Sequence, residues 1–286
     1  MSARSHLYVP GDRPDVLAKA LGRGADALIV DLEDAVAVSA KDAARAAVAE
    51  WLGGLPPAVD NPVEVWVRVN PGAVALIDVE AVALPALAGI CLAKAESAAE
   101  VAAVAALLDR LEAERGIAAG SIGIAPLLES AAAVLRAVEI ARAPRVRRLQ
   151  VGEADLKADT GIEPGDDERE LLWVRSQVVL ASAAAGIDPP VGPVSTNFRD
   201  LDALRASTEA VRRLGYRGRA CIHPAQIAVV NEVFTPSAEQ VDAARTLIAA
   251  YDAAVAAGSG VLIGPDGRMV DEAVVRQARR LVGPAR

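Results

Sequence analysis

Cysteine, histidine and aromatic residues are all scarce in this 286-residue chain, and each scarcity removes a class of function. The two cysteines, Cys91 and Cys221, lie in apolar runs without metal-ligand spacing, so they read as buried reduced thiols and not as a disulfide framework. Two histidines, His6 and His223, give little support to a His-rich zinc centre or a hydrolytic triad. His6 falls inside an apolar run and reads as a core residue, while His223 precedes Pro224 and reads as a helix start. Aromatic residues make up 3% of the chain, and 38 acids outnumber 30 basic residues for a formal charge of −8, which argues against a nucleic-acid partner. No apolar run reaches the roughly 18 residues of a bilayer span. The opening MSARSHLYVPGDRP has no apolar signal-peptide segment, so the expected location is the cytoplasm, with no membrane contact. The stretches GIEPGDDE and GSGVLIGPDG contain glycine but match no phosphate-loop pattern.

What is abundant is alanine and short apolar runs, within a hydrophobic total of 53%. Eight strand-like runs occupy residues 6–10, 27–33, 63–70, 89–94, 121–129, 147–152, 189–194 and 219–224, separated by helical patterns such as AKDAARAAVAEWL and SAAEVAAVAALLDRLEAERG. Their apolar residues are consecutive rather than alternating, as in parallel strands buried on both faces. Eight βα units of similar length predict an α/β fold, a (β/α)8 TIM barrel over residues 1–235, in preference to an open doubly wound sheet. Residues 236–286 exceed what a barrel needs and predict a C-terminal extension of helix, hairpin around GPDG and final helix, lying over its own barrel or a neighbouring subunit's.

A closed barrel gathers the C-terminal ends of its strands at one mouth. Asp31, Glu33 and Asp34 follow strand 2, Arg68 and Asn70 end strand 3, Lys94 and Glu96 follow strand 4, Glu129 follows strand 5, and Glu153 and Asp155 follow strand 6. Neighbouring strands 5 and 6 bring Glu129 and Asp155 together, and two facing carboxylates are costly unless protonated or bridged by a cation. Mg2+ takes one or two carboxylates and keeps its other positions for water and substrate oxygens. Both acids also suit the first turn of a helix, where the dipole favours negative charge, and their residue types leave the two readings open. Arg68 at the end of an apolar strand requires an acid or an anion. Asp31, Glu33 or Asp34 can supply it, and so can a substrate carboxylate. Lys41 and Arg45, four residues apart on a helix, read as surface residues.

Taken together, the ordered segments RSHLYVPGDRP, ADALIVDLEDAV, VWVRVN, PLLES, VGEADLKADTG, IHPAQIAVVNEVFTPS and GRMVDEAVVRQARRL resemble the citrate lyase β-subunit-like proteins of the HpcH/HpaI aldolase family, relatives of malyl-CoA and citramalyl-CoA lyases. The resemblance spans nearly the whole chain. It implies a TIM barrel, Mg2+ bound by Glu129 and Asp155, Arg68 on the small acid's carboxylate or keto oxygen, and Asp31 and Asp34 holding metal-bound water. It also implies that Asp271 in the RMVDEAV segment serves as acid/base in a neighbouring subunit's site, in a homo-oligomer such as a trimer; N-capping of the last helix is the plainer role for that residue. For CoA it points to Arg4, Arg13 and Lys19 as phosphate contacts. The implied activity is Mg2+-dependent carbon–carbon cleavage of a short 3-hydroxyacyl-CoA to acetyl-CoA and a 2-oxo acid. A thioesterase on the same ester, and a β subunit of a multi-protein citrate lyase acting on an acyl-carrier-protein thioester, are the alternatives. One segment departs from the family pattern: relatives often read FGAEDL where this chain has VGEADL, so Ala154 precedes Asp155 and the adjacent acid is Glu153.

Overall fold

The computed structural model describes residues 3–265 and 267–283. The eight expected strands close into an all-parallel ring. β1 (Ser5–Pro10) pairs with β2 (Ala27–Asp31) on one side and β8 (Gly218–Cys221) on the other. β3 (Glu64–Val69), β4 (Gly89–Leu92), β5 (Gly123–Leu128), β6 (Gln150–Val151) and β7 (Val191–Gly192) complete it in sequence order. Consecutive apolar residues are needed because each strand packs on two sides. Leu28, Val30, Val67, Ile90, Ile124 and Leu128 face outward to Val48, Val79 and Leu108 of the surrounding helices. Ile29, Trp66, Cys91, Ala125 and Leu127 fill the barrel interior. Each fully buried aliphatic side chain contributes roughly 1.5–3 kcal/mol.

The helices of the ring are α1 (Pro14–Ala20), α2 (Lys41–Gly53), α3 (Ala73–Val82), α4 (Ala98–Arg115), α5 (Ala131–Leu135), α6 (Ala137–Ala141), α7 (Glu153–Thr160), α8 (Leu172–Ala185), α9 (Leu201–Leu214) and α10 (Ala225–Phe234). Their starts follow local capping chemistry: Pro14 opens α1, and the Ser97, Ser130 and Asp200 side chains accept the amides of Glu100, Ala133 and Ala203. Two of these helices carry no clear sequence signal. The apolar residues of α3 (AVALIDVEAV) surround the helix and show no one-sided stripe, and α7 (EADLKADT) reads as an acid cluster. The stretch 131–141, which reads as one helix, breaks at Arg136 into α5 and α6. β6 and β7 contain only two residues each, shorter than their apolar runs. Ahead of the first of those strands the chain meets β5 at a single bridge between Ile124 and Val146, and Arg147 sends its side chain to the Ser121 carbonyl before the continuous ladder takes up at Gln150.

A second compact unit begins at Thr235. It contains α11 (Ala238–Ala256), an antiparallel hairpin of β9 (Leu262–Ile263) and β10 (Met269–Val270), and α12 (Glu272–Val282). Ser237 and Gln240 form a reciprocal capping box at the start of α11. Tyr251, Val270 and Val275 make this unit's own small core with Leu247, Ile248 and Leu262. Both cysteines are buried and unpaired. No helix among the described residues is long and apolar enough to cross a membrane.

Candidate active site

The parallel register of β2 and β3 sets Asp31 directly beside Arg68. The Arg68 Nε and Nη2 donate to the two Asp31 oxygens at 2.7 and 2.6 Å, a fork-to-fork pair, and its Nη1 lies 3.0 Å from Glu33 and 3.4 Å from Asp34. Tyr8 of β1 presents its ring 5.1 Å from the guanidinium. Burial opposes the Arg68 charge, but the adjacent Asp31 carboxylate outweighs it and the pKa rises. Asp31 also accepts the amides of Glu33 and Ala35, so it holds the turn after β2 as well as the arginine.

Lys94, just past β4, stands in the left-handed backbone region at φ 48°, an uncommon state for a residue with a side chain. Its ammonium meets Glu33 at 2.5 Å and Asp34 at 3.4 Å. The bond to Glu33 raises its pKa. The Lys94 backbone N–H donates to Glu129 Oε2 at 2.8 Å.

Glu129, which follows β5, is 5% exposed. Burial pushes its carboxyl up to about 7, with the Asp155 charge adding to the shift and the Lys94 amide opposing it. Gly152, after β6, is required here because a Cβ at that position would overlap the Glu129 carboxylate. Asp155 sits in the first turn of α7, half-buried, and its side chain accepts no hydrogen bond from the described residues. The pair therefore comprises a buried carboxylate raised toward neutrality and an unpartnered one, both oxygen donors, the set a hard divalent cation suits. Among the described residues no group of three or more His, Cys, Asp and Glu could hold a metal ion. A cation held by these two acids would need water or substrate oxygens for the rest of its shell, as Mg2+ commonly does.

Asp31, Asp34, Arg68, Glu129 and Asp155 thus gather at one mouth, joined by Glu33 and Lys94. Three features of this mouth lie beyond sequence reading: the positive φ of Lys94, its amide bond to Glu129, and the packing of Gly152 on that carboxylate. Lys41 and Arg45 are not the surface residues that their spacing suggests. Lys41 Nζ donates to the Leu32 and Glu33 carbonyls at 2.9 Å each, and Arg45 Nε donates to buried Asp78 at 2.8 Å, because the loop after β2 and the middle of α3 reach them. His6 is buried, its pKa lowered to about 3 by burial and by Arg148. His223 Nδ1 accepts the Ala225 amide at the start of α10, and its ring stacks on Phe198 at 4.7 Å.

The three residues suggested for CoA do not fall together. Arg13 lies in the connection after β1, on the mouth side, exposed and paired with Asp15. Lys19 is exposed in the last turn of α1. Arg4 precedes β1, at the opposite end of the barrel, where its guanidinium forks onto Asp26 at 2.7 and 2.9 Å. The structure does not bring Arg4 to the mouth, because the chain enters the barrel there at its N-terminal end. Asp271 belongs to the C-terminal unit and caps α12, its Oδ1 accepting the Ala273 and Val274 amides.

Comparison with known proteins adds three kinds of finding. The HpcH/HpaI aldolase/citrate lyase family profile matches residues 4–224. The chain is 35% identical over 283 residues to the citrate lyase subunit beta of Leuconostoc mesenteroides subsp. cremoris, covering 98% of this chain and 92% of that one. It is 33% identical over 310 residues to the L-malyl-CoA/beta-methylmalyl-CoA lyase of Cereibacter sphaeroides, covering 99% and 94%. Among solved structures it is similar to the protein CitE from Mycobacterium tuberculosis in complex with magnesium, acetoacetate and coenzyme A, with a TM-score of 0.78, 32% identity, and coverage of 98% of this chain and 97% of that one.

Proposed function

The chain belongs to the HpcH/HpaI aldolase/citrate lyase family and is a carbon–carbon lyase, and from that premise we propose that it cleaves a short 3-hydroxyacyl thioester such as malyl-CoA or citramalyl-CoA to acetyl-CoA and a 2-oxo acid. The observation that carries this reading is the Glu129–Asp155 carboxylate pair set beside Arg68. Its cofactor is Mg2+, with Glu129 and Asp155 as the protein ligands. The related CitE protein binds magnesium and coenzyme A in its crystal structure, which supports the assignment.

Cleavage requires that the 3-hydroxyl proton leave to a base, that the carbon–carbon bond break, and that the electron pair pass to the thioester as an enolate, which then takes up a proton. When bound, Mg2+ would supply Lewis-acid stabilisation of the charge left on the 3-hydroxyl oxygen as its proton departs. Arg68 binds the carboxylate of the small acid and adds positive charge where negative charge accumulates. Asp31 fixes the guanidinium in that orientation, and Asp34, more than half exposed, holds water at the mouth. Asp271 of a neighbouring subunit protonates the enolate. Both of its capping bonds fall on Oδ1, which leaves Oδ2 for proton transfer. This role makes the protein a homo-oligomer, a trimer by family resemblance, with residues 236–286 covering the adjacent barrel. For the CoA phosphates, Arg13 and Lys19 remain as contacts, and Arg4 does not.

The test is incubation of the purified protein with malyl-CoA, citramalyl-CoA and methylmalyl-CoA, with and without Mg2+, following 2-oxo acid and free thiol together. The expected result is oxo acid released only with Mg2+ while the product thioester stays intact. Thiol without oxo acid would instead identify a thioesterase. No turnover of any of the three would shift the substrate to a carrier-protein thioester of a citrate lyase complex.

A further inference from the structure

The departure at residues 153–154 has a physical consequence in the structure. Glu153 opens α7, directly after Gly152 and two positions before Asp155, yet its side chain does not join the carboxylates at the mouth. It is gripped in fork-to-fork fashion by Arg175 of α8, at 2.6 and 2.8 Å. Both partners are buried, 9% and 4% exposed. The third arm of the guanidinium donates to Glu168 at 2.8 Å, in the connection between α7 and α8, and Glu168 itself holds a left-handed backbone at φ 51°. The Arg175 carbonyl accepts the hydroxyl of fully buried Tyr216 at 3.2 Å. One arginine therefore ties together α8, the start of α7, the segment that follows α7 and the residue that leads into β8.

No side chain caps α7, whose N-cap position is Gly152. Without a cap, the placement of its first turn depends on what its first residue binds. A buried bidentate ion pair is suited to that task, because moving either partner strands a charge in the interior. The same turn carries Gly152, which packs on the Glu129 carboxylate, and Asp155. We propose that Arg175 is a positioning residue for the metal site: through Glu153 it sets the first turn of α7, and so holds Asp155 and Gly152 in register with Glu129. The inference rests on the assignment of Glu129 and Asp155 as Mg2+ ligands, and it adds a partner on a different helix that touches neither acid. Residues that orient ligands from behind typically control metal affinity by about 10- to 100-fold.

The experiment is titration of the metal-free protein with Mn2+, read as free Mn2+ by electron paramagnetic resonance, with folding of each variant confirmed by circular dichroism at the same temperature. Arg175→Lys keeps the charge but cannot grip both oxygens. It is expected to lower Mn2+ affinity by about tenfold and to recover kcat at saturating Mg2+. Glu153→Gln keeps the shape and is expected to lose less, so it serves should the arginine variants not fold. The double variant Glu153→Ala, Arg175→Met is expected to bind Mn2+ no more weakly than Arg175→Met alone, since both act through one contact. Mn2+ bound by folded Arg175→Lys and Glu153→Gln as tightly as by the wild type would overturn the inference while leaving the metal site standing. A wild-type protein that binds no Mn2+ would overturn the ligand assignment, and the inference with it.

Discussion

Two glutamates shielded from solvent, one at each end of the barrel, have carboxyl pKa values displaced in opposite directions. Glu112, at the end of α4 on the side where the strands begin, is 1% exposed and accepts hydrogen bonds from both terminal nitrogens of Arg145 and from the amides of Gly120 and Ile122. Against the upward push of burial, these partners hold its carboxyl down at about 2. Glu129, on the side where the strands end, is 5% exposed, has a single backbone amide and an acidic neighbour, and is pushed up to about 7. The other charges follow the same division. At the beginning end Arg4 forks onto Asp26, and Arg148 reaches Glu64 while stacking 5.0 Å from Trp66. At the mouth, two cations, Arg68 and Lys94, face Asp31, Glu33, Asp34, Glu129 and Asp155. One end closes its charges on one another, which serves stability. The other keeps an excess of negative charge of the kind a bound cation would balance, in line with the usual division of labour in this fold.

This contrast predicts where variants act. The largest effect is expected from Glu129→Ala or Asp155→Ala, which should lower Mg2+-dependent cleavage by at least about 10³-fold. The melting temperature should not fall, because these acids gain little from the fold. Next, Arg68→Lys should lower kcat/KM by about 10²-fold, since a lysine cannot grip Asp31 and a substrate carboxylate together. At the opposite end the expectation inverts: Glu112→Ala should cost roughly 3 kcal/mol of stability, measured by urea unfolding, by leaving the Gly120 and Ile122 amides without an acceptor and Arg145 with Asp109 as its remaining acid, with kcat unchanged in the folded enzyme.

Much of this division was legible in the sequence, for reasons tied to particular residues. Consecutive apolar positions such as ALIVD mark doubly buried strands, and the acid or base that ends each run marks the mouth, so the barrel and the placement of Asp31, Asp34, Arg68, Glu129 and Asp155 at its mouth could be read from the strand ends, while their separation from Glu33, Lys94 and Glu96 as site residues came from the family resemblance. Arg4 could not be placed so easily, because a basic residue before a strand and one after it look alike until the strand's direction in the barrel is applied. α7 and the Glu153–Arg175 pair were hidden because a short helix starting on an acid cluster has no apolar stripe. The left-handed Lys94 is invisible because φ is set by the tertiary turn and not by residue type.

Smaller effects sharpen the comparison. Arg13→Ala should raise the KM for a CoA thioester severalfold. Arg4→Ala should leave that KM unchanged and cost no more than about 1 kcal/mol, as for a part-exposed ion pair. The acid limb of stability should also separate the two ends. Because Glu112 is shifted downward, its contribution is complete above the ordinary carboxylate value of 4.5 and is lost as pH falls toward 2. Glu112→Gln should flatten the urea midpoint across that window, whereas the wild type should decline through it.

The most direct test of the account is to soak crystals of the protein in Mn2+ and locate the ion by its anomalous scattering. One peak between Glu129 and Asp155, lost in Asp155→Asn, is the predicted result. A peak held by Asp31, Glu33 or Asp34 with none at Glu129 would contradict the central claim that the carboxylate pair after β5 and β6 is the metal site.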